Sequence, residues 1–404
     1  MPRDTADDPI LICGAARTPL GAFQGAFSGV SATELGAAAI RAALERAGLA
    51  PEAVGEVLMG NVLPAGLGQA PARQAAIGAG LPVSVPCTTV SKVCGSGMKS
   101  VMQAFDAMRA GSVGVAVAGG MESMTNAPYL LPQGRAGARL GHSRMLDHMM
   151  LDGLEDAYDI APDGTRRSMG TFGEDCAEAY QFTRDQQDAY AIESVTRAKR
   201  ASDSGAFGWE LAPVEVKSRK GAVEVGRDEG PDRIDPAKIP NLRPAFKKEG
   251  TITAASSSSI NDGAAALVLA RASEAERLGL EPIARIVGHA AYAGTPGWFT
   301  TAPIHAKRAL FDKLGWSVED VDLFEINEAF AVVAMAAMKE LDIPHEKLNV
   351  HGGAVALGHP IGASGARILV TLLGAMREAK AKRGVASICI GGGEATAVGV
   401  EMLG

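Results

Sequence analysis

Residues 43–61, ALERAGLAPEAVGEVLMGN, and residues 309–327, ALFDKLGWSVEDVDLFEIN, read as two copies of one unit, pairing Gly48 with Gly315, Glu52 with Glu319 and Val54 with Val321. A second pair of stretches, SGMKSVMQAFDAMRAG from Ser96 and SGARILVTLLGAMREA from Ser364, matches Gly97 with Gly365 and Met108 with Met376 at nearly the same offset. Two long matches at one spacing mark an internal repeat, so the chain reads as two similar halves. Apolar residues recur at helical spacing in Ile40, Ala43, Leu44 and Ala47, in Met98, Val101, Met102 and Phe105, and in Leu369, Leu372, Leu373 and Met376. Between these helices lie VGEVLMG, VGVAVAGG, VDLFEIN and VASICIGGG, short apolar runs suited to strands covered on both faces. The expected class is therefore α/β, with two similar βαβαβ-type halves.

Residues 121–250 break the repeat and are richer in charge, Gly and Met. They read as an inserted loop domain with one long helix, opened at Thr183 by the capping-box sequence TRDQ. The segment TITAASSSSINDGAAALVLA then returns to the first half with a loop and a last strand. This gives residues 1–120 plus 251–282 as the N-terminal half, 121–250 as the loop domain and 283–404 as the C-terminal half.

Five widely spaced cysteines, an odd number, argue against a disulfide framework. No CxxC or HExxH is present, so no metal site is expected. A net charge of −7 argues against a nucleic-acid partner. No apolar run approaches the roughly 20 residues that span a bilayer. The opening MPRDTADDP lacks the apolar core of a secretory signal and the closing EMLG is not a peroxisomal address, so a cytoplasmic protein is expected, with an organellar origin left open.

Four short motifs carry chemistry. In VCGSGMKS, Cys94 sits at a glycine-flanked turn entering a helix N-terminus, where the dipole favours a thiolate; an inert buried cysteine fits the same residues. In NEAF, Asn327 stands where the repeat has Gly60, which suggests a site, although Asn327 as a cap of the helix FAVVAMAAM fits as well. HGGAVALGHPIGASGAR places His351 and His359 among five glycines, with His359 a candidate base. A phosphate loop is excluded there, because GASGAR lacks the Lys and the Ser/Thr that follow it. In CIGGGEATA, Cys389 ends a strand before three glycines, and the chain stops too soon afterwards for a dinucleotide fold. Because Cys94 and His359 occupy nearly matching turns of the two halves, they are expected to share one cleft.

Taken in order over essentially the whole chain, from ICGAARTPLGAF to Glu401, these motifs resemble the thiolase family. The resemblance implies the thiolase fold and an acyltransferase that makes or cleaves 3-ketoacyl-CoA by Claisen chemistry through an acyl-cysteine. It matches Cys94 to the acyl-carrying nucleophile, His359 to the base that takes its proton, and Cys389 to the acid or base at the α-carbon. It further implies that His359 and a water held by Asn327 serve the enolate, while the backbone N–H groups of Cys94 and Gly391 serve the tetrahedral intermediate. Ser258 and Ala254 match positions that contact pantetheine; Phe246, Met169 and Phe330 match positions lining the tunnel. Arg219, Lys220, Arg233, Arg243, Lys247 and Lys248 are basic residues able to meet CoA phosphates, or merely solvated ones.

Ser168, where short-chain members often have His, and Phe299 in GWFTTAP, where many have Met, reshape the expected acyl pocket. The first expectation is 2 acetyl-CoA = acetoacetyl-CoA + CoA; the alternative is degradative thiolysis of longer 3-ketoacyl-CoA in β-oxidation. A decarboxylating ketoacyl synthase is disfavoured by NEAF and Cys389, and a silent thiolase-like scaffold by the presence of all four motifs. No cofactor is expected beyond coenzyme A thioesters as substrates. The family implies a homodimer or homotetramer, with 124–142, MTNAPYLLPQGRAGARLGH, as a tetramer contact.

Overall fold

A computed structural model of the protein describes residues 8–218 and 221–403. The first half runs β1 (Ile10–Arg17), α1 (Ala32–Ala47), β2 (Glu56–Gly60), β3 (Cys87–Val90), α2 (Ser96–Arg109) and β4 (Val115–Ser123). The intervening segment holds α3 (Met169–Tyr180) and α4 (Arg184–Ser204), and the chain returns in β5 (Asn261–Arg271). The second half follows as β6 (Ala284–Ala293), α5 (Ala302–Leu314), β7 (Leu323–Ile326), α6 (Ala331–Leu341), α7 (Ile361–Ala379), β8 (Arg383–Ile390) and β9 (Glu394–Met402).

Hydrogen bonding orders the strands β7-β8-β9-β6-β1-β5-β4-β2-β3. The repeat is visible in this path. β2 runs parallel to β4, as β7 does to β8; β4 is antiparallel to β5, as β8 is to β9; β5 is antiparallel to β1, as β9 is to β6. The halves join where β1 meets β6 through Leu11↔Arg285 and Ile12↔Ala284. Both joining strands carry a register shift at equivalent places, Ile12/Gly14 and Ile286/Gly288, which bends each strand at the seam.

Side chains alternate across each strand, so each half-sheet feeds two apolar layers. Ile40 and Leu44 of α1 pack with Val57, Val117 and Val268 on the outer face of the first half. Leu310 and Phe311 of α5 pack with Phe324, Val385 and Ala397 on the outer face of the second. Between the half-sheets, Met98 and Val101 of α2 and Leu369 and Leu372 of α7 meet Leu267 from one side and Ile388 and Val400 from the other. Helix α7 is consequently buried around nearly its whole circumference, more than the single apolar face read from its sequence. At about 1.5–3 kcal/mol for each fully buried large aliphatic side chain, this central layer is a main source of stability.

Helix α4 begins as expected: Thr183 accepts from the Gln186 N–H while Gln186 accepts from the Thr183 N–H. Among the described residues no helix is long and apolar enough to cross a membrane.

Candidate active site

The N-termini of α2 and α7 lie side by side between the half-sheets, each entered by a tight turn. Before α2, Val93 holds φ +43, a left-handed conformation that is costly for a β-branched residue and is tolerated where the surroundings enforce it. Ser96 locks the turn, its hydroxyl accepting from the Lys92 N–H at 2.8 Å and donating to the Val93 carbonyl at 2.6 Å. Gly95 is the N-cap, and a Cβ there would stand 2.4 Å from Ile390 Cδ1, so the end of β8 packs on the turn that carries Cys94. The backbone N–H groups of Gly391 and of Cys94 itself favour the charged form of the Cys94 thiol. Burial nevertheless pushes its pKa up to about 11, so desolvation outweighs the helix terminus and the resting group is a thiol, contrary to the thiolate expected from sequence.

Before α7, Gly358 turns the chain at φ +109, where a Cβ would lie 2.1 Å from Asn261 Oδ1. Only glycine allows that approach, and the same Asn261 oxygen accepts from the His359 N–H at 3.3 Å. His359, 6% exposed, has its Nδ1 2.6 Å from Ser364 Oγ. The Ser364 hydroxyl donates to the Pro360 carbonyl at 2.9 Å, so it accepts from Nδ1–H and leaves Nε2 as the free lone pair. Burial, with Arg367 adding to it, lowers the imidazole pKa to about 3. The ring is neutral at physiological pH.

Asn327 follows β7 with its Nδ2 3.5 Å from His359 Nε2 and its Oδ1 3.5 Å from Arg367 Nη2. The guanidinium faces the amide oxygen, which turns the NH2 toward the imidazole. Asn327 does not cap α6, whose N-cap is Phe330. The repeat asymmetry has a steric cause: a Cβ on Gly60 would lie 2.6 Å from the backbone of Ser96 and Gly97 and 2.7 Å from the Gly362 carbonyl, so the first half has no room for an amide there.

Cys389 is 1% exposed and precedes Ile390, which packs on Gly95 beside Cys94, so the two cysteines end at one centre. Its pKa is pushed well above the ordinary thiol range, mainly by burial and next by Cys94, rather than lying near working pH as expected. Beyond it, a Cβ on Gly391 would sit 3.6 Å from Val93 and 3.7 Å from the Met169 sulfur, so Met169 covers the centre from α3.

Ser258 donates from both its backbone N–H and its hydroxyl to the Ala329 carbonyl within NEAF, at 3.0 Å each. Phe246 meets Phe330 edge to face at 5.8 Å, and Phe330 lies 6.5 Å from Phe299. Ala254 lines a cavity of about 530 Å³ together with Phe23, Arg233, Lys238, Leu242 and Ser259. Of the basic candidates, Arg233 pairs with Glu229 and Lys247 with Glu178, Arg243 and Lys248 are exposed, and Arg219 and Lys220 fall outside the described residues. His351 is elsewhere, 3.0 Å from Glu378 and edge-on to Phe207.

Three buried residues at the site escaped the sequence reading. Glu122 ends β4 and accepts from Asn61 Nδ2 and from the N–H groups of Val62, Leu63 and Gly362, tying the first half to the start of α7; burial raises its pKa to about 7. Arg367 orients Asn327. Lys307 of α5 reaches β8, two residues before Cys389. A readable signal existed for Lys307, a charged residue on the apolar stripe of α5 between Ile304 and Leu310. Among the described residues no group of three or more His, Cys, Asp or Glu side chains is placed to hold a metal ion.

Residues 10–273 match the family described as "Thiolase, N-terminal domain" and residues 280–402 match "Thiolase, C-terminal domain". The chain is 52% identical to acetyl-CoA acetyltransferase 1 of Arabidopsis thaliana, covering 100% of this chain and 95% of that one. It is 46% identical to acetyl-CoA acetyltransferase of Allochromatium vinosum, covering 98% and 100%. Among solved structures, a thiolase of Ascaris suum in complex with coenzyme A superposes with a TM-score of 0.91 at 42% identity, covering 98% of this chain and 100% of that one.

Proposed function

The chain belongs to the thiolase family, and from that premise we propose that it is an acetyl-CoA C-acetyltransferase, joining two acetyl-CoA into acetoacetyl-CoA and CoA and running the same reaction in reverse. Relatives bearing the name acetyl-CoA acetyltransferase match it over nearly their full length. The observation that carries the proposal is the packing of the turn that holds Cys94 against the end of β8 that holds Cys389, where a Cβ on Gly95 would stand 2.4 Å from Ile390 Cδ1 and one on Gly391 3.6 Å from Val93.

The Cys94 sulfur attacks the thioester or 3-keto carbonyl, and the His359 Nε2 lone pair accepts the proton it gives up. The N–H groups of Cys94 and Gly391 receive the oxyanion of the tetrahedral adduct. Cys389 delivers or removes the α-proton. Asn327 Nδ2 and protonated His359 face the enolate oxygen that forms when the C–C bond breaks. The ketone and thioester carbonyls supply their own electron sink, so CoA thioesters suffice without a further cofactor.

The packed rings of Phe246, Phe299 and Phe330 favour a short acyl group over a long one. Met169 and Phe330 border the acyl end, Ser258 and Ala254 the pantetheine arm, and the cavity beside Arg233 and Lys238 suits the charged end of coenzyme A. Residues 1–120 with 251–282, 121–250 and 283–404 form the two catalytic halves and the loop domain. The exposed Tyr129, Leu131 and Leu140 favour 124–142 as a contact between dimers of a homotetramer. A cytoplasmic setting, with neither nucleic acid nor membrane as partner, completes the reading.

Intact-mass measurement after acetyl-CoA addition tests the assignment. One acetyl group is expected on the protein and none on Cys94→Ser; no adduct, or an adduct that survives the substitution, refutes it. Thiolysis of 3-ketoacyl-CoA of graded length tests the pocket, and faster turnover of long chains than of acetoacetyl-CoA overturns the short-chain reading.

A further inference from the structure

Strand β8 turns Ser387 and Cys389 to the same face, since alternate residues share a side of a sheet. That face belongs to α5: Val385 and Cys389 lie in the apolar cluster with Ile304, Ala306 and Leu310, whereas Ala386 and Ile388 lie in the cluster with α2 and α7. Lys307 projects from α5 into this interface. It is 0% exposed, and its Nζ stands 3.0 Å from Ser387 Oγ. A lysine amine that deep is normally matched by a carboxylate. Here, among the described residues, the side chain that favours its charge is the Cys389 thiol.

The titratable side chains that act electrostatically on Cys389 include Cys94 from the turn before α2, Lys307 from α5 and Cys176 from α3. The two thiols raise the cost of a charge on Cys389; Lys307 is the side chain that lowers it. Burial lowers the Lys307 pKa to about 7 even though Cys389 works against that shift. Each group therefore favours the charged form of the other.

We propose that Lys307 is a positioning residue for Cys389, its ammonium, held in place by Ser387, stabilising the thiolate that removes the α-proton of acetyl-CoA. This rests on the reading of Cys389 as the α-carbon base. In synthesis the C–H bond of the acetyl methyl breaks as an S–H bond forms on Cys389, and the C–H electron pair becomes the enolate. The enolate carbon bonds to the acetyl carbon on Cys94, the C–S bond to Cys94 breaks, and the proton on Cys389 passes to the Cys94 sulfur. Cys389 rests as a thiol; the thiolate formed when its proton is lost is regenerated at the end of each turnover, with the Lys307 ammonium as its counter-ion.

The test separates the two half-reactions in Lys307→Met and Ser387→Ala. Exchange of labelled CoA into acetyl-CoA needs Cys94 and His359 but no α-proton transfer; exchange of the acetyl methyl protons with D2O needs Cys389. For Lys307→Met, CoA exchange should stay within about twofold of the parent. Methyl-proton exchange at pH 7.5 should fall by roughly 10- to 100-fold, and its rising pH limb should move up by about one unit or more, as loss of a nearby cation requires. Ser387→Ala should move the limb in the same direction by less. Equal losses in both exchanges, or an unmoved pH limb, overturn the proposal. If Lys307→Met is recovered unfolded, the limb of Ser387→Ala decides alone. Absence of CoA exchange in the parent would instead strike the assignment of Cys94 and leave the Lys307 question distinct from it.

Discussion

The residues around Cys94 differ most in what burial does to them. Asn327 has its oxygen fixed by Arg367 and its NH2 turned toward His359, so its loss removes a donor without emptying the core. Asn327→Ala should lower kcat by about 100- to 1,000-fold, the usual effect of losing one such donor, while leaving the unfolding midpoint nearly unchanged. Near-parental turnover in a steady-state assay would remove Asn327 from the mechanism. His359 makes a pH prediction. Its folded pKa, about 3, lies below the unfolded value of 6.5. The folded state therefore resists protonation, and the stability linked to this group is present above pH 6.5 and lost as pH falls toward 3. Between pH 7 and 4.5 the linked loss is about 2–3 kcal/mol. Urea titrations of the parent and of His359→Gln at both pH values should show a shallower acid loss in the variant; parallel curves would mean that His359 is not buried as a neutral ring.

At the scale of elements, the site depends on how closely the starts of α2 and α7 approach β2. Gly60 is the contact point, with backbone of both helices within 2.6–2.7 Å of any Cβ placed there. Gly60→Ala must displace one helix, at a cost of roughly 1–3 kcal/mol or more by the ordinary penalty for overpacking. Because the displaced turn carries Cys94, acetylation by acetyl-CoA should slow in parallel, which stopped-flow mass sampling and thermal unfolding can check on the same protein. This approach was legible only in part. Periodicity placed α1, α2 and the strands, and TRDQ placed the start of α4, because these signals are local. The full burial of α7 was not legible, since a helix covered from both sides by sheets looks in sequence like a helix with one broad apolar face. The cap reading of Asn327 failed for a related reason: whether an Asn serves its own helix or another element depends on where the chain bends.

Across the molecule, the intervening segment is tied to the first half by a buried ionic cluster. Arg17 of β1 donates to Asp228 at 2.7 and 2.9 Å and to Glu210 at 2.7 Å, and Asp228 also accepts from the Leu20 N–H. Removing one charge leaves its partner buried and unmatched, so Asp228→Asn should cost about 3–5 kcal/mol. Denaturant unfolding should show that loss while the folded fraction retains its KM for acetyl-CoA; an unchanged midpoint would mean that the cluster is not a structural clamp.

The repeat, the α/β class and the four motifs with Cys94, Asn327, His359 and Cys389 were readable from the chain alone, because they reside in short-range patterns and in residue types with few uses at such turns. The protonation states were not. Cys94 as a resting thiol, His359 as a neutral base with a free Nε2, and Lys307 beside Cys389 all follow from desolvation and from partners distant in sequence. Those quantities exist only once α5, α7 and the two half-sheets have closed over the site.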